Sequence, residues 1–494
     1  MARIIDILNW GHWRRACSIA LFAGLSSHAS AAIHALLIGG GPDKENNTAQ
    51  IEEHLRFVAS LVPPSPCRIV LFADGKAGSH SLSYTDSARL SAGQRALDIL
   101  LPEYGLGTKV LTRAPALGAP IDGPSRLGSI DRAFTRLAAT SGRSGPPVLL
   151  YFAGHGSVAQ DKRKNSVYNL WANEDLDPAT LVREIDALPP RVPVTLVMAQ
   201  CYSGGFANVM FKDANPSLGL NGHLIAGFFA AESDREAAGC GTDTSSPLYQ
   251  DFSSYFFGAL SGRDKLGRQV TGANYDGAVK VTCYEAYCYA LIHDESIDTP
   301  VCTSLIFLRR YADLPDATIF STSWSDLLES ATPAQRAALD ALSAKLELEG
   351  NGRLLAAYDR LMFSDPVGQL SQIRAYREAQ DRLNSLRMES LHSLFDRWPS
   401  LRWKDSHDYE KAARGAAADL EKDRPLCEEI LRTDDRFTRA DLALDQQEAL
   451  LVRLTDLAEA VLRLRELRQH GAPAIKARFE ALWQAEQRPL GIVP

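Results

Sequence analysis

Two residues of this chain have the type and setting for covalent chemistry. His155 closes the apolar run 148–156, VLLYFAGHG, and Cys201 closes the run 194–205, VTLVMAQCYSGG. A thiol attacks as its thiolate, so it needs a base to take its proton, and imidazole titrates in the range that suits this exchange. In such a pairing Cys201 is the nucleophile and His155 the general acid/base. Gly154 and Gly156 flank the histidine, and Gly204 and Gly205 follow the cysteine, so that backbone and substrate can come close together. The backbone N–H groups of Gly156 and Cys201 are then the expected donors to an oxyanion.

Both runs are too short, and too rich in β-branched and aromatic residues, for helices. They read as buried strands with the two residues at their carboxyl ends, where open α/β sheets hold their sites. The rest of the chain fits around them. Residues 34–38 read as a first strand, followed by the turn Gly39-Gly40-Gly41-Pro42 and a helix with Ile51, Leu55, Val58, Ala59 and Val62 on one face. Residues 68–72 read as a second strand, 76–122 as an irregular insertion and 129–139 as a helix. Asp177-Pro178 caps a helix carrying Leu181, Ile185 and Leu188. Beyond the cysteine, 206–220 reads as a surface loop and a place for a flap or processing site. Then come a strand over 223–231, helices over 252–260 and 279–291, and a last strand over 301–310. This alternation predicts an α/β fold with a mainly parallel sheet covered by helices on both faces. From Thr332-Pro333 onward, Ala, Leu, Arg, Glu and Gln dominate, and Leu450, Leu454, Leu457, Val461 and Leu464 form a helical seam. A C-terminal all-α helical domain, packed on the first domain and offering a surface for a protein partner, is expected.

The order histidine then cysteine, 46 residues apart, resembles the caspase/legumain clan of cysteine peptidases. So do the His-Gly pair after an apolar strand and the small-residue turn around Cys-x-Ser-Gly. The likeness is to the legumain-like and bacterial caspase-like branch and spans about residues 33–311. It implies a caspase-hemoglobinase-like sheet, and hydrolysis of a protein or peptide substrate through the Cys–His dyad without a metal or organic cofactor. In legumain-like enzymes an Asn after the first strand orients the histidine; Asn46 or Asn47 stands in that region. The family's segment after the 223–231 strand walls the pocket for the residue before the scissile bond. Glu232, Ser233, Asp234 and Glu236 are the candidates there, with Ala237 and Ala238 where hydroxyl residues are usual. The carboxylates lean toward a basic substrate side chain, with Asn and acidic side chains also open. A non-catalytic peptidase-like scaffold and a transpeptidase using the same dyad are the other readings.

The chain has 494 residues, 45% of them hydrophobic, enough for a sizeable core and two or three domains. A net charge of −7 with no basic–aromatic motif argues against nucleic acid as a partner. Arg14-Arg15, the apolar stretch 16–25 and the small residues Ala29-Ser30-Ala31 have the order of a signal peptide, which places the mature protein in the periplasm or outside the cell. The apolar stretch is too short for an integral membrane span. The expected division is a signal peptide over 1–31, the peptidase-like domain over 32–313 and the helical domain over 314–494. With Cys17 removed and Cys201 free, six cysteines remain for up to three disulfides, with a local bridge expected among Cys283, Cys288 and Cys302.

Overall fold

Among the described residues the strands are β1 His34–Gly40, β2 Arg68–Phe72, β3 Leu82–Tyr84, β4 Leu111–Arg113, β5 Val148–Val158, β6 Ser166–Leu170, β7 Glu174–Leu176, β8 Val194–Ala199, β9 Ile225–Phe229 and β10 Val301–Cys302, with β3 and β4 paired in a two-stranded sheet of their own. The computed structural model describes residues 33–492 except 65–66, 87–88, 103–109, 143–144, 160–164, 245–249 and 364–365. The expected signal peptide and Cys17 lie outside the described residues. The main sheet runs β10-β9-β8-β5-β1-β2, all parallel except β10. On the far end of β5, β6 pairs antiparallel, and β7 pairs with β6. The fold is therefore α/β with a mostly parallel mixed sheet.

Strands buried on both faces read as unbroken apolar runs, and β1 and β8 are buried throughout. On one face Tyr151 of β5 meets Phe257 of the helix Phe252–Ser261 edge-on at 5.2 Å; on the other Phe152 meets Tyr168 of β6 at 5.3 Å.

Three segments and the cysteines differ from expectation. The 76–122 stretch holds β3, β4 and the helix Ala92–Leu100, started by a capping box between Ser91 and Gln94. Ala96, Leu97 and Leu100 of that helix pack with Leu394, Leu401, Ala413 and Ile430 in a second small core. The expected strand over 301–310 is only Val301–Cys302, after which Thr303–Tyr311 is a helix; a short apolar run does not reveal its period. Glu486 settles it by accepting from the Ser304 N–H and the Thr303 hydroxyl, both at 2.8 Å, at the start of the helix. The 206–220 segment forms short 3₁₀ turns and divides in two: Phe206, Ala207, Val209, Met210 and Phe211 are buried and packed, while 212–220 is a surface loop with Leu218 exposed. The cysteines differ as well: Cys201, Cys240, Cys283, Cys288, Cys302 and Cys427 are free thiols. Cys283 and Cys288 share the helix Cys283–His293, where five residues at about 100° each turn them to different sides.

The C-terminal helices are divided between two cores, 394–430 contributing most of the small one. A continuous core runs from the sheet into Leu339, Leu342, Leu454, Val461, Phe479 and Leu482. The seam Leu454, Leu457, Val461 and Leu464 of the long helix Arg424–His470 is buried in it. Among the described residues no helix is long and apolar enough to cross a membrane.

Candidate functional site

The parallel register of β5 and β8 ends at Ala153 opposite Ala199. His155 and Cys201 each lie two residues further along, His155 still within β5 and Cys201 in the turn just past the end of β8. Within β5 the two-residue period turns His155 to the face that also carries Tyr151. Strand spacing of roughly 4.8 Å brings two such side chains within reach of one bound group.

The imidazole is fixed from the loop after β1. Nε2 of His155 lies 2.8 Å from the Asn46 carbonyl oxygen. A carbonyl only accepts, so Nε2 carries the proton there and Nδ1 is left as the base. Burial lowers the pKa of His155 below its ordinary range, while the Asn46 contact and the negative charge of Asp43 act against it. The Asn46 side chain points elsewhere: its Nδ2 donates to both oxygens of Asp43, at 2.8 and 2.9 Å. Asn47 is fully buried, donates to the Ser81 carbonyl at 2.8 Å and accepts the Ser83 N–H on its own carbonyl at 2.8 Å, pinning the loop to β3.

The thiol of Cys201 is half-buried and engaged by one peptide. The Ala237 N–H donates to Sγ at 3.3 Å, and the thiol donates to the Ala237 carbonyl at 3.6 Å. Burial raises its pKa; the Ala237 contact counteracts this, and the negative charges of Glu236 and Asp298 add to the rise. Tyr202 follows at φ 59°, a left-handed conformation that costs a non-glycine residue roughly 1–3 kcal/mol and turns the chain sharply away after Cys201. Its N–H donates to the Arg235 carbonyl at 2.8 Å.

The two expected oxyanion donors are the N–H groups of Gly156 and Cys201. The Ala159 N–H donates to the Asn165 carbonyl, and bonded pairs alternate along an antiparallel ladder. Gly156, opposite Tyr168, is therefore in a non-bonded pair, and its N–H points away from β6. Among the described residues the Cys201 N–H has no backbone acceptor. At Gly156 a Cβ would run into the Cys201 carbonyl oxygen, so close approach of the two strand ends requires glycine.

The 232–240 loop separates the four pocket candidates. Arg309 donates to Glu232 at 2.6 Å, and the same guanidinium reaches Asp456 at 2.7 Å and Glu459 at 2.9 Å on the long C-terminal helix. The Glu232 carboxylate is thus committed to the scaffold. Ser233 is half-buried, with its N–H beside Gly204. Asp234 and Glu236 are exposed, and the Tyr202 hydroxyl approaches Glu236 at 3.4 Å.

Sequence reasoning passed over the groups that hold this loop. Asp298, fully buried, accepts the N–H groups of Ala238 at 2.6 Å and Phe252 at 2.8 Å. Its own carbonyl accepts from Arg453, a fully buried arginine of the long helix that also serves the carbonyls of Asp294 at 2.6 Å and Ser296 at 3.0 Å. On the other side the Thr48 hydroxyl donates to the Cys240 carbonyl at 2.9 Å, and Gln50 brackets Gly241 and Asp243. The segment that supplies the carbonyl for His155 thus also fastens the loop that touches Cys201. Asp43 had a legible signal in its spacing to Asn46, which suits an Asx turn. Arg453 had none, because nothing in the helical pattern distinguishes a buried arginine from an exposed one.

No model of a known protein family matches this chain, and no curated protein matches it.

Proposed function

We propose that the protein is a cysteine endopeptidase of the caspase/legumain-like type, with a caspase-hemoglobinase-like sheet and an exported mature form. The observation that carries the reading is the placement of His155 and Cys201, each two residues past the last paired positions of adjacent parallel strands. Cys201 attacks the peptide carbonyl, and its proton goes to Nδ1 of His155. The N–H groups of Gly156 and Cys201 hold the developing oxyanion. The imidazolium then gives its proton to the leaving amine, and water releases the acyl group from sulfur. Protein or peptide is the substrate.

The thiol contacts Ala237, not His155, which favours a second reading, a non-catalytic scaffold that keeps the pocket. Contacts between catalytic groups often tighten only with substrate bound, so this geometry does not remove the first reading. The deciding experiment labels the purified full chain with a thiol-directed activity probe beside Cys201→Ala and His155→Ala, then offers a peptide library varied before the cut. Labelling lost in both variants, with library products, supports the peptidase. Equal labelling or none in all three proteins, with no products, leaves the scaffold.

A further inference from the structure

We propose that Asp43 is a positioning residue of this site: its carboxylate clamps Asn46 so that the Asn46 carbonyl holds the Nε2–H of His155 and leaves Nδ1 facing the proton of Cys201. The inference rests on the Cys–His reading above. Asn46 is exposed in a turn, and an exposed turn carbonyl does not by itself fix an imidazole. What fixes it is one carboxylate. Asp43 Oδ1 accepts the Asn46 N–H at 2.9 Å and Nδ2 at 2.8 Å, and Oδ2 accepts Nδ2 at 2.9 Å. The next residue, Asn47, is anchored in the protein by Ser81 and Ser83, so the Asn46 peptide is held on both sides.

Asp43 also acts through charge. When the S–H bond of Cys201 breaks and an N–H bond forms at Nδ1, the imidazole becomes a cation, and the Asp43 charge favours that state. The other groups around the ring are few. Lys44 and Glu45 are exposed in the same turn. From β6 comes the neutral Asn169, whose Nδ2 donates to Asp175 of β7 at 3.0 Å. Cys201 follows β8, and Glu236, whose charge bears on the Cys201 thiol, follows β9. A buried or fixed carboxylate behind a histidine is a general means of setting both its tautomer and its basicity.

The test is the rate at which iodoacetamide alkylates Cys201 in the full chain, read by mass spectrometry at pH 7 and pH 10. At pH 7 the reactive thiolate forms at the expense of an imidazolium; at pH 10 hydroxide removes the proton without His155. Asp43→Ala and Asp43→Asn are expected to react about tenfold more slowly at pH 7, the equivalent of one pKa unit, and at the wild-type rate at pH 10. Asp43→Glu is expected to recover most of the loss, and Glu45→Gln to match wild type at both pH values. Rates for Asp43→Ala and Asp43→Asn that equal wild type at pH 7, or that fall equally at both pH values, overturn the proposal. If His155→Ala itself leaves the pH 7 rate unchanged, the dyad reading fails instead, and the two failures are told apart.

Discussion

Ala237 faces Cys201 with both polar groups of its backbone, N–H to sulfur at 3.3 Å and carbonyl to the thiol proton at 3.6 Å. A donor and an acceptor on one sulfur suit the neutral thiol, and burial with the nearby Glu236 charge raises its pKa further. The resting site therefore holds mostly S–H beside a neutral imidazole, with the thiolate–imidazolium pair a minor form that grows when substrate displaces the Ala237 contact.

The alkylation rate of Cys201 in the free protein should accordingly keep rising beyond pH 9, and Glu236→Gln should raise the rate at pH 8 a few-fold by removing a like charge. A wild-type rate already level at pH 7 would mean a preformed thiolate and sink this account of the resting state.

Gly156→Ala tests the close approach of the strand ends. The added methyl meets the Cys201 carbonyl, which cannot rotate away as a side chain does. Displacement of the nucleophile by about 1 Å is expected to cost roughly 100-fold in peptide turnover while circular dichroism shows the fold intact. Full activity in this variant would show that the nucleophile does not depend on that contact.

Arg453→Met should remove about 3–5 kcal/mol of unfolding free energy, since it strands buried carbonyls and the Asp294 carboxylate that the guanidinium faces at 3.6 Å. Arg439→Ala, which loses only an exposed pair with Asp435, is expected to change stability by less than about 0.5 kcal/mol. Denaturant midpoints of the two variants measure the contrast, and similar midpoints would refute a special role for Arg453.

Glu486 gives stability a pH dependence of defined sign. Burial raises its pKa from 4.5 to about 7. Over that window the folded chain keeps a proton that the unfolded chain has lost, so stability falls as pH rises from about 4.5 to 7 and stays lower above it. The shift corresponds to about 3 kcal/mol. Glu486→Gln retains an oxygen for Thr303 and Ser304 and removes the charge, so its melting temperature should exceed wild type at pH 8 and approach it at pH 4.5. The reverse order at pH 8 would show that the carboxylate is stabilised where it sits.

The strands around His155 and Cys201 were legible because fully buried parallel strands write themselves as unbroken apolar runs. The helices opening at Asp177 and Thr332 were legible through their caps; the Asp177 carboxylate accepts the Thr180 N–H at 2.7 Å. The helix Thr303–Tyr311 was not, because the carboxylate that satisfies its first turn lies on Glu486, far along the chain. The commitment of Glu232 was hidden for the same reason: Arg309, Asp456 and Glu459 converge on it only after folding. Asn46 stood in the right region, but the useful atom is its carbonyl, and no side-chain pattern records which backbone oxygen faces a histidine.

Arg453 sets a time as well as a place. A ribosome that has delivered the chain through Cys240 and Asp298 has released every residue of the candidate site, yet the 294–298 segment still lacks the guanidinium that its carbonyls surround. The loop against Cys201 is secured only when the long helix follows. A chain cut short before the long helix would thus carry Cys201 without the finished loop beside it.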